Sequence, residues 1–247
     1  MSHKPLLEIK EGAFIVSDAH YSHQRPQLLE FIKDIHSKKL QPTQLILMGD
    51  IFDALFGGVT YTQKINHEVI KLLNEISLCI ELIYLEGNHD FNLKNIFPNA
   101  KIFSIYSQPV EATCNSKKVL LAHGDIDGDI GYKIYTAIIR NRLVLFVLSI
   151  IDSIFGHYIL KKLDIYLGKK DDCKEFIGLK NFISKRLHGK YSCNYFIEGH
   201  FHQNKTIKYD ELTYINLGAF ACNQRYFIVD YSSNIELLQE KIFFKGN

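Results

Sequence analysis

The sequence predicts a protein of the α/β class, because short apolar runs alternate with helix-like segments along most of the chain. Five of these runs end in Gly, Asp, Asn or His, and they read AFIVSD, QLILMGD, ELIYLEGNHD, KVLLAHGD and YFIEGH. Continuous apolar strands of this kind are typical of a sheet that is covered on both faces. Helices between such strands are the signature of the α/β class.

Two segments between the runs repeat their apolar residues with the period of a helix. RPQLLEFIKDIHSKK has Pro26 near its start, and TQKINHEVIKLLNEI carries the period from Ile65 to Ile76. After Lys205 the chain becomes rich in strand patterns, and we expect a hairpin around Ser232 to Asn234.

A helical insertion is predicted between Asp129 and His188, where the strand pattern disappears. We therefore expect a core made of residues 1–128 and 189–247, and an insertion made of residues 129–188 with a break at LGKKDDCK. Its unbroken apolar stretch ends at Asp152, short of the roughly 20 residues that span a bilayer, so we expect no transmembrane helix.

Composition excludes some classes of function. At 247 residues the chain can bury a substantial core, and a net charge of +2 gives no reason to expect nucleic-acid binding. The five cysteines are scattered and never form CxxC, so we expect reduced thiols in a cytoplasmic protein. We also expect a monomer. The N-terminus lacks the apolar core of a signal peptide.

Residues of types that commonly bind metals come directly after the five apolar runs. They are Asp18, His20, Asp50, Asn88, His89, His123, His200 and His202. Ligands of open α/β sheets collect beyond the carboxyl ends of the strands, so we expect these side chains to meet at one sheet edge. Carboxylate, imidazole and amide groups suit Mn, Fe, Zn or Mg, and the lack of Cys argues against structural zinc. Each short motif alone is more often a turn or a cap, and only their joint, ordered occurrence indicates a site for two ions.

The ordered set DAH, GDIFD, GNHD, HGD and GHFH resembles the calcineurin-like metallophosphoesterase superfamily over the range from Asp18 to His202. The resemblance implies a four-layer α/β/β/α sandwich and a site for two divalent ions, with Mn expected first. It implies one ion held by Asp18, His20, Asp50 and His202, and another held by Asp50, Asn88, His123 and His200.

The resemblance also implies roles for three further residues. His89 would contact the phosphoryl oxygen, Asp90 would orient His89, and Asp53 would fix a ligand histidine. The expected nucleophile is a hydroxide that bridges two ions about 3.5–4 Å apart.

The insertion resembles the lid of the UDP-2,3-diacylglucosamine pyrophosphatases of lipid A biosynthesis. This implies hydrolysis of UDP-2,3-diacylglucosamine to UMP and 2,3-diacylglucosamine 1-phosphate (lipid X), with the acyl chains under the lid. It also implies peripheral contact with the cytoplasmic face of the inner membrane. The expected substrate-binding residues are Asp125, Asp129, Tyr132, Arg140 and Asn141. The chain departs from better-known members, which have Arg at the position of His89, and its spacing from HGD to Tyr132 is shorter.

Two alternatives remain open at this point. One is a soluble metal-dependent phosphodiesterase or phosphatase that acts on a nucleotide or a phosphoprotein. The other is a non-catalytic scaffold that keeps the fold. The alternative to a lid is that the apolar helix of the insertion is an ordinary buried helix flanked by solvated charges.

Overall fold

The computed structural model describes residues 7–127, 130–210, 212–232 and 237–243. Its strands are β1 (Leu7–Glu8), β2 (Phe14–Val16), β3 (Gln44–Leu47), β4 (Leu55–Phe56), β5 (Glu81–Leu85), β6 (Asp90–Phe91), β7 (Lys101–Phe103), β8 (Val110–Cys114), β9 (Lys117–Ala122), β10 (Tyr195–Glu198), β11 (Lys205–Lys208), β12 (Thr213–Asn216), β13 (Arg225–Val229) and β14 (Leu238–Ile242). Its helices are α1 (Gln27–His36), α2 (Thr60–Ile65), α3 (His67–Ile76), α4 (Ile130–Arg140), α5 (Arg142–Ile154), α6 (Tyr158–Gly168), α7 (Leu179–Leu187) and α8 (Phe220–Asn223).

Two six-stranded sheets form the centre of the fold. The first has the order β14-β13-β2-β3-β5-β7, and the second has the order β1-β8-β9-β10-β12-β11. Strands β2, β3, β5 and β7 run parallel, as do β9, β10 and β12. Strands β13 and β14 pair antiparallel, in agreement with the predicted hairpin, while part of its turn lies outside the described residues.

Side chains alternate along the strands and so build separate cores on the two faces of each sheet. Leu45 and Leu47 of β3 face α1 and α3, whereas Ile46 lies between the two sheets with Leu121 and Ile197. A further cluster packs α7 onto the outer face of the second sheet. The layers are therefore helix, sheet, sheet and helix, which confirms the predicted four-layer α/β sandwich.

The helix predicted from Ile65 to Ile76 is divided at Asn66. The Asn66 side chain donates hydrogen bonds to the carbonyl oxygens of Ala54 (3.0 Å) and Thr62 (2.9 Å) at the break between α2 and α3. Ile65 is consequently 49% exposed instead of facing the core. Asparagine competes for backbone groups in this way at helix ends, and periodicity alone does not reveal it.

Helix α7 lies in the predicted insertion and packs on the second sheet. Leu179, Ile183 and Leu187 are buried against Leu120 and Phe196 of that sheet. We propose that the insertion ends between α6 and α7. The helices α4, α5 and α6 are called the lid from here on.

Two of the cysteines that were expected as thiols are bonded to each other. Cys173, in the segment after α6, forms a disulfide with Cys222 of α8, and their Cα atoms lie 5.7 Å apart. The fold brings two distant segments within disulfide range, and the sequence separation of 49 residues gave no sign of this. Cys79, Cys114 and Cys193 are free.

Within the described ranges no single helix is long and apolar enough to cross a membrane. Helices α4 and α5 reach that length and composition only when taken together, and they are bent by 66° at their junction.

Candidate metal centre

The predicted ligands come from the carboxyl ends of five strands that are neighbours in the two sheets. Asp18 and His20 follow β2, Asp50 follows β3, and Asn88 follows β5, all in the first sheet. The other three, His123 after β9 and His200 and His202 after β10, belong to the second sheet. The expectation of one common sheet was wrong, because the site lies where the edges of two packed sheets meet.

The backbone at this edge is strained in a consistent way. Asp18, His20, Asp50, His200 and His202 all have φ between 46° and 61°. Residues other than glycine seldom adopt this left-handed region, and where they do the surrounding structure must hold them there. Clustering of such residues at one site is characteristic of function rather than of stability.

Metal-binding atoms converge in three overlapping groups within the described residues. The groups are Asp18, His20 and His202; His20, Asp50 and His89; and Asp50, His123 and His200, with the atoms of each group within 4.8 Å of one another. Asn88 joins the third group, since its Oδ1 lies 3.3 Å from His123 Nε2. Asp50 belongs to two groups, which is what a carboxylate shared by two ions requires.

The histidines are held in the tautomer that metal binding needs. The Nδ1 atoms of His123, His89 and His202 donate to the carbonyl oxygens of Met48 (3.0 Å), Asp53 (2.9 Å) and Asp172 (2.5 Å). Because a carbonyl oxygen only accepts, each Nδ1 carries a proton, and each Nε2 is left to face the centre. This arrangement is the usual orientation of histidine ligands by neighbouring groups.

His20 provides the most direct test of whether the site fits an ion. Its Nδ1 lies 3.2 Å from Asp53 Oδ1, while its Nε2 is buried and finds no hydrogen-bond partner among the described residues. A buried polar atom without a partner is unfavourable, and a cation at this point would satisfy it. The donor set of imidazole, carboxylate and amide therefore fits divalent ions.

Asp90 holds the Asp50 loop, not the His89 side chain that it was expected to orient. Its carboxylate accepts hydrogen bonds from the backbone N–H groups of Asp50, Ile51 and Gly87 and from Tyr84 Oη at 2.6 Å. The orientation of His89 comes instead from the Asp53 carbonyl. The main-chain donors around Asp90 could not be seen in the sequence.

Two glycines give the ligands room. A Cβ at Gly87 would lie 2.2 Å from Asp50 Oδ1, and one at Gly199 would lie 2.4 Å from Asp18 Oδ2. Neither glycine has a positive φ, so close approach alone explains them.

Electrostatics couple the carboxylates to the histidines. Burial alone would raise the pKa of Asp18, but the His202 imidazole, 3.1 Å away, outweighs it and lowers the pKa to about 2. Burial likewise opposes protonation of His202, and Asp18 raises the pKa of that imidazole to about 9. Burial and the neighbouring His123 lower the pKa of His200 to about 4, so this ring is neutral at pH 7. A metal ion competes with the proton that His202 and Asp18 share.

The predicted substrate-binding residues divide into separate groups. Arg140 is buried at the end of α4, where Nη2 donates to Gly87 O (2.7 Å) and lies 3.7 Å from Asp125. Tyr132 donates to the same Asp125 carboxylate at 2.9 Å. Arg140 therefore connects the lid to the loop that carries Asn88. Asp129 lies outside the described residues.

Asn141 caps a helix, and its role in substrate binding stays a prediction. Its Oδ1 accepts from the backbone N–H groups of Leu143 (2.9 Å) and Val144 (3.2 Å) at the start of α5. Asparagine directly before an apolar helix is a standard N-cap signal, so the sequence did contain the clue.

No pattern in the sequence identified several residues that support the ligands. Gln108 Oε1 accepts from the His123 N–H (2.6 Å), and the Asp172 carboxylate pairs with Arg25 at 2.5 Å. Arg186 donates to Gly124 O and forms a buried ion pair with Glu198. It therefore connects the loop of the ligand His123 to the strand end that precedes the ligand His200. Single polar residues in loops give no periodic pattern, and only the tertiary structure identifies them.

A cavity of about 570 Å³, called the lid cavity, opens beside the centre. Asn88 and His89 line one end, and Tyr132 and Arg140 line the wall that belongs to the lid. The remaining lining is mainly apolar and includes Phe56, Val59, Phe91, Ile139, Leu145, Leu148, Ile159, Leu160, Leu163 and Leu167. An apolar chamber thus adjoins the predicted metal ligand Asn88 and His89, the residue expected to contact phosphate.

Comparison with known proteins adds a family and several relatives. Residues 13–204 match the sequence profile of the calcineurin-like phosphoesterases. The UDP-2,3-diacylglucosamine hydrolase of Pseudomonas fluorescens (strain SBW25) is 29% identical over 154 residues, which are 60% of this chain and 61% of that protein. The enzyme of the same name from Histophilus somni (strain 129Pt) is 27% identical over 132 residues, or 52% and 56% of the two chains. The match thus spans less than two thirds of these curated relatives. A solved phosphoesterase from E. coli, YfcE, has a TM-score of 0.48 at 13% identity, covering 93% of this chain and 98% of that one.

Proposed function

The chain belongs to the calcineurin-like phosphoesterase family of metal-dependent hydrolases, and from this premise we propose that it cleaves the pyrophosphate of UDP-2,3-diacylglucosamine. The products are UMP and 2,3-diacylglucosamine 1-phosphate. The observation that carries this proposal is the lid cavity, which joins an apolar chamber of about 570 Å³ to the metal-binding edge at Asn88 and His89. A substrate with two acyl chains beside a pyrophosphate needs this combination of surfaces.

The named residues hold two divalent ions in this proposal. Asp18, His20, Asp50 and His202 would hold one ion, and Asp50, Asn88, His123 and His200 would hold the other; the three overlapping groups and the Asn88–His123 contact support this assignment. Oxygen and imidazole nitrogen donors without thiolate suit Mn, Fe, Zn or Mg, and manganese remains our first expectation. When bound, the ions supply the Lewis acidity that polarises the phosphoryl group and lowers the pKa of the attacking water.

The protein side chains position the substrate around this centre. His89 is fixed through Nδ1 to the Asp53 carbonyl, and its Nε2 lies 4.0 Å from Asp50 Oδ2. In its imidazolium form, with a proton on Nε2 as well as on Nδ1, it can donate to an oxygen of the reacting phosphoryl group and stabilise the charge that develops on it. Asp90 keeps the Asp50 loop in place through its backbone hydrogen bonds, and the lid keeps bulk water from the acyl side.

The outer surface of the lid supports contact with a membrane. Along α5 only Leu145 and Asp152 are buried, whereas Leu143 is 69% exposed and Ile154 is 74% exposed. The exposed side chains of Lys161 and Lys162 follow on α6. An apolar face with basic residues nearby is suited to peripheral binding at an anionic membrane surface.

Release of UMP from UDP-2,3-diacylglucosamine in the presence of Mn²⁺ tests the proposal. We expect UMP and the lipid monophosphate in equal amounts from the wild type and none from His123→Ala. Metal analysis of both proteins accompanies the assay, so that failure to load metal is detected. Metal-loaded wild type that releases no UMP would refute the substrate assignment.

A phosphodiesterase or phosphatase acting on a small soluble substrate is the second candidate, because His89 stands where better-known members of the lipid enzyme family have Arg. Such an enzyme would turn over aryl phosphodiesters independently of detergent and would show no affinity for acyl chains. Those two results together would favour it over the lipid substrate.

A further inference from the structure

A second cavity, called the side cleft, adjoins the lid cavity and has a different chemical character. It has a volume of about 440 Å³ and lies between the loop after β2, helix α2 and lid helix α6. Asp53 and Leu160 line both cavities, so the two chambers share a wall beside the ligand His20. The polar groups Ser22, Asp164 and Asn66 line the side cleft, whereas the lid cavity is mainly apolar.

Two of the residues that line the side cleft each have a buried polar atom without a partner among the described residues. Ser22 is 6% exposed and Asp53 is 3% exposed. Neither Ser22 Oγ nor Asp53 Oδ2 finds a hydrogen-bond partner within the described part of the chain. A buried donor or acceptor without a partner is unfavourable, so such atoms point to a ligand that satisfies them.

The side cleft also has the size and the wall of a small-molecule site. Its volume falls within the range of about 300–1,000 Å³ that is usual for such sites. The ring of Tyr61 lines it and is held by stacking on His157, with the ring centres 4.1 Å apart. A held aromatic ring next to carboxylate and hydroxyl groups suits a ligand that combines a flat ring with hydroxyl donors.

We propose that the side cleft binds the nucleoside half of the substrate. The inference rests on the proposed function, since it divides a nucleotide-linked lipid between two chambers that share Asp53, whose carboxylate lies beside the ligand His20. The ribose hydroxyls donate to the carboxylates of Asp53 and Asp164, Ser22 Oγ bonds a polar edge of the nucleoside, and the base packs beside Tyr61. The acyl chains enter the lid cavity on the other side of Asp53.

The test is the binding of UMP to the full-length, Mn-loaded protein and to the variants Ser22→Ala and Asp164→Asn. We expect the Kd for UMP, measured by calorimetry, to rise at least fivefold in each variant. The KM for UDP-2,3-diacylglucosamine should rise by a similar factor, and by at least five times more than the KM for bis(4-nitrophenyl) phosphate, which lacks a nucleoside. The matched control Glu111→Gln changes an exposed carboxylate on β8 and should behave as the wild type.

A variant that fills the side cleft with a larger side chain tests the inference without removing a hydrogen bond. Ile65 lines the side cleft and is 49% exposed, so Ile65→Trp adds bulk there without disturbing the core. It should also weaken UMP binding at least fivefold, with its thermal unfolding unchanged. An unchanged Kd for UMP in all three variants would overturn the inference, as would equal effects on both substrates.

The outcomes separate this inference from the proposed function. UMP binding that depends on Ser22, in a protein that does not cleave the lipid substrate, would leave the side cleft standing and remove the lipid assignment. Cleavage of the lipid substrate, together with UMP binding that is unchanged by substitutions at Ser22, Asp164 and Ile65, would support the proposed function and refute the side cleft as the nucleoside site.

Discussion

Asp53 serves two histidines of the centre through different atoms. Its side chain lies 3.2 Å from His20 Nδ1, and its backbone carbonyl accepts from His89 Nδ1 at 2.9 Å. The carboxylate therefore orients a metal ligand, while the main chain orients the residue expected to contact phosphate. A substitution at Asp53 can separate the two effects.

Asp53→Ala removes the carboxylate and keeps the carbonyl that holds His89. We expect the Kd for Mn²⁺ to rise about 10- to 100-fold, the usual effect of losing a group that orients a ligand histidine. Calorimetric titration of Mn²⁺ into the metal-free protein measures it, with Glu111→Ala as the surface control. Equal affinities in Asp53→Ala and the wild type would show that His20 is oriented without this carboxylate.

At this scale the sequence predicted the identity of the ligands better than the support around them. Asp18, His20 and Asp50 stand out because each follows a recognisable apolar strand. Their left-handed backbone and the Nδ1 contacts of the histidines depend on loops from other parts of the chain, and no local pattern encodes these. Asn141 shows the opposite case, a local signal that was assigned to substrate binding and is used as a helix cap.

Among the structural elements, the segment after α6 is tied to both the centre and α8. The Asp172 carbonyl accepts from His202 Nδ1, and the next residue, Cys173, is bonded to Cys222. Helix α8 in turn donates from the Ala221 N–H to the Asp18 carbonyl at 3.1 Å. The disulfide therefore joins two segments that each support a ligand.

Reduction of this disulfide should destabilise the protein. Closing a loop of this length lowers the entropy of the unfolded chain by an amount equivalent to about 4 kcal/mol. We expect dithiothreitol to lower the Tm by on the order of 10 °C, as followed by calorimetry. The Tm of the double variant Cys173→Ser/Cys222→Ser should not respond to the reductant, whereas Cys79→Ser should respond as the wild type. A wild-type Tm that is insensitive to dithiothreitol after verified reduction would contradict this expectation.

Helix α5 of the lid has exposed apolar side chains that do not pack against the core. Phe146 and Ile150 of α5 are 58% and 45% exposed, and neither lines the lid cavity. Their removal should therefore affect surface binding more than the site.

Binding to lipid vesicles tests this role of the lid. We expect the wild type to float with vesicles that contain anionic phosphatidylglycerol and expect Phe146→Ser/Ile150→Ser to bind at least fivefold more weakly, because less apolar area is buried. Leu78→Ser, at a residue 73% exposed beside α3, is the matched control and should bind as the wild type. Equal flotation of all three proteins would argue against docking through α5.

For the whole molecule, the sequence predicted the fold class because five apolar strands and two helix patterns agree with each other. It did not predict that the ligand strands belong to two sheets, because pairing between β9 and β10 depends on residues far apart in the chain. It also placed α7 in the insertion, since the period of a helix does not show which surface the helix covers. The periodicity of the sequence did not predict which strand each strand pairs with or which surface each helix packs against.

We propose that the metal centre adjoins a cavity that holds the acyl chains of the substrate. A crystal structure of the Mn-loaded protein with 2,3-diacylglucosamine 1-phosphate tests it most directly. We predict that the phosphate lies against His89 and the metal ions, and that the acyl chains lie in the lid cavity beside Leu145 and Leu163. Acyl chains located outside that cavity, with the metal sites filled, would contradict the claim.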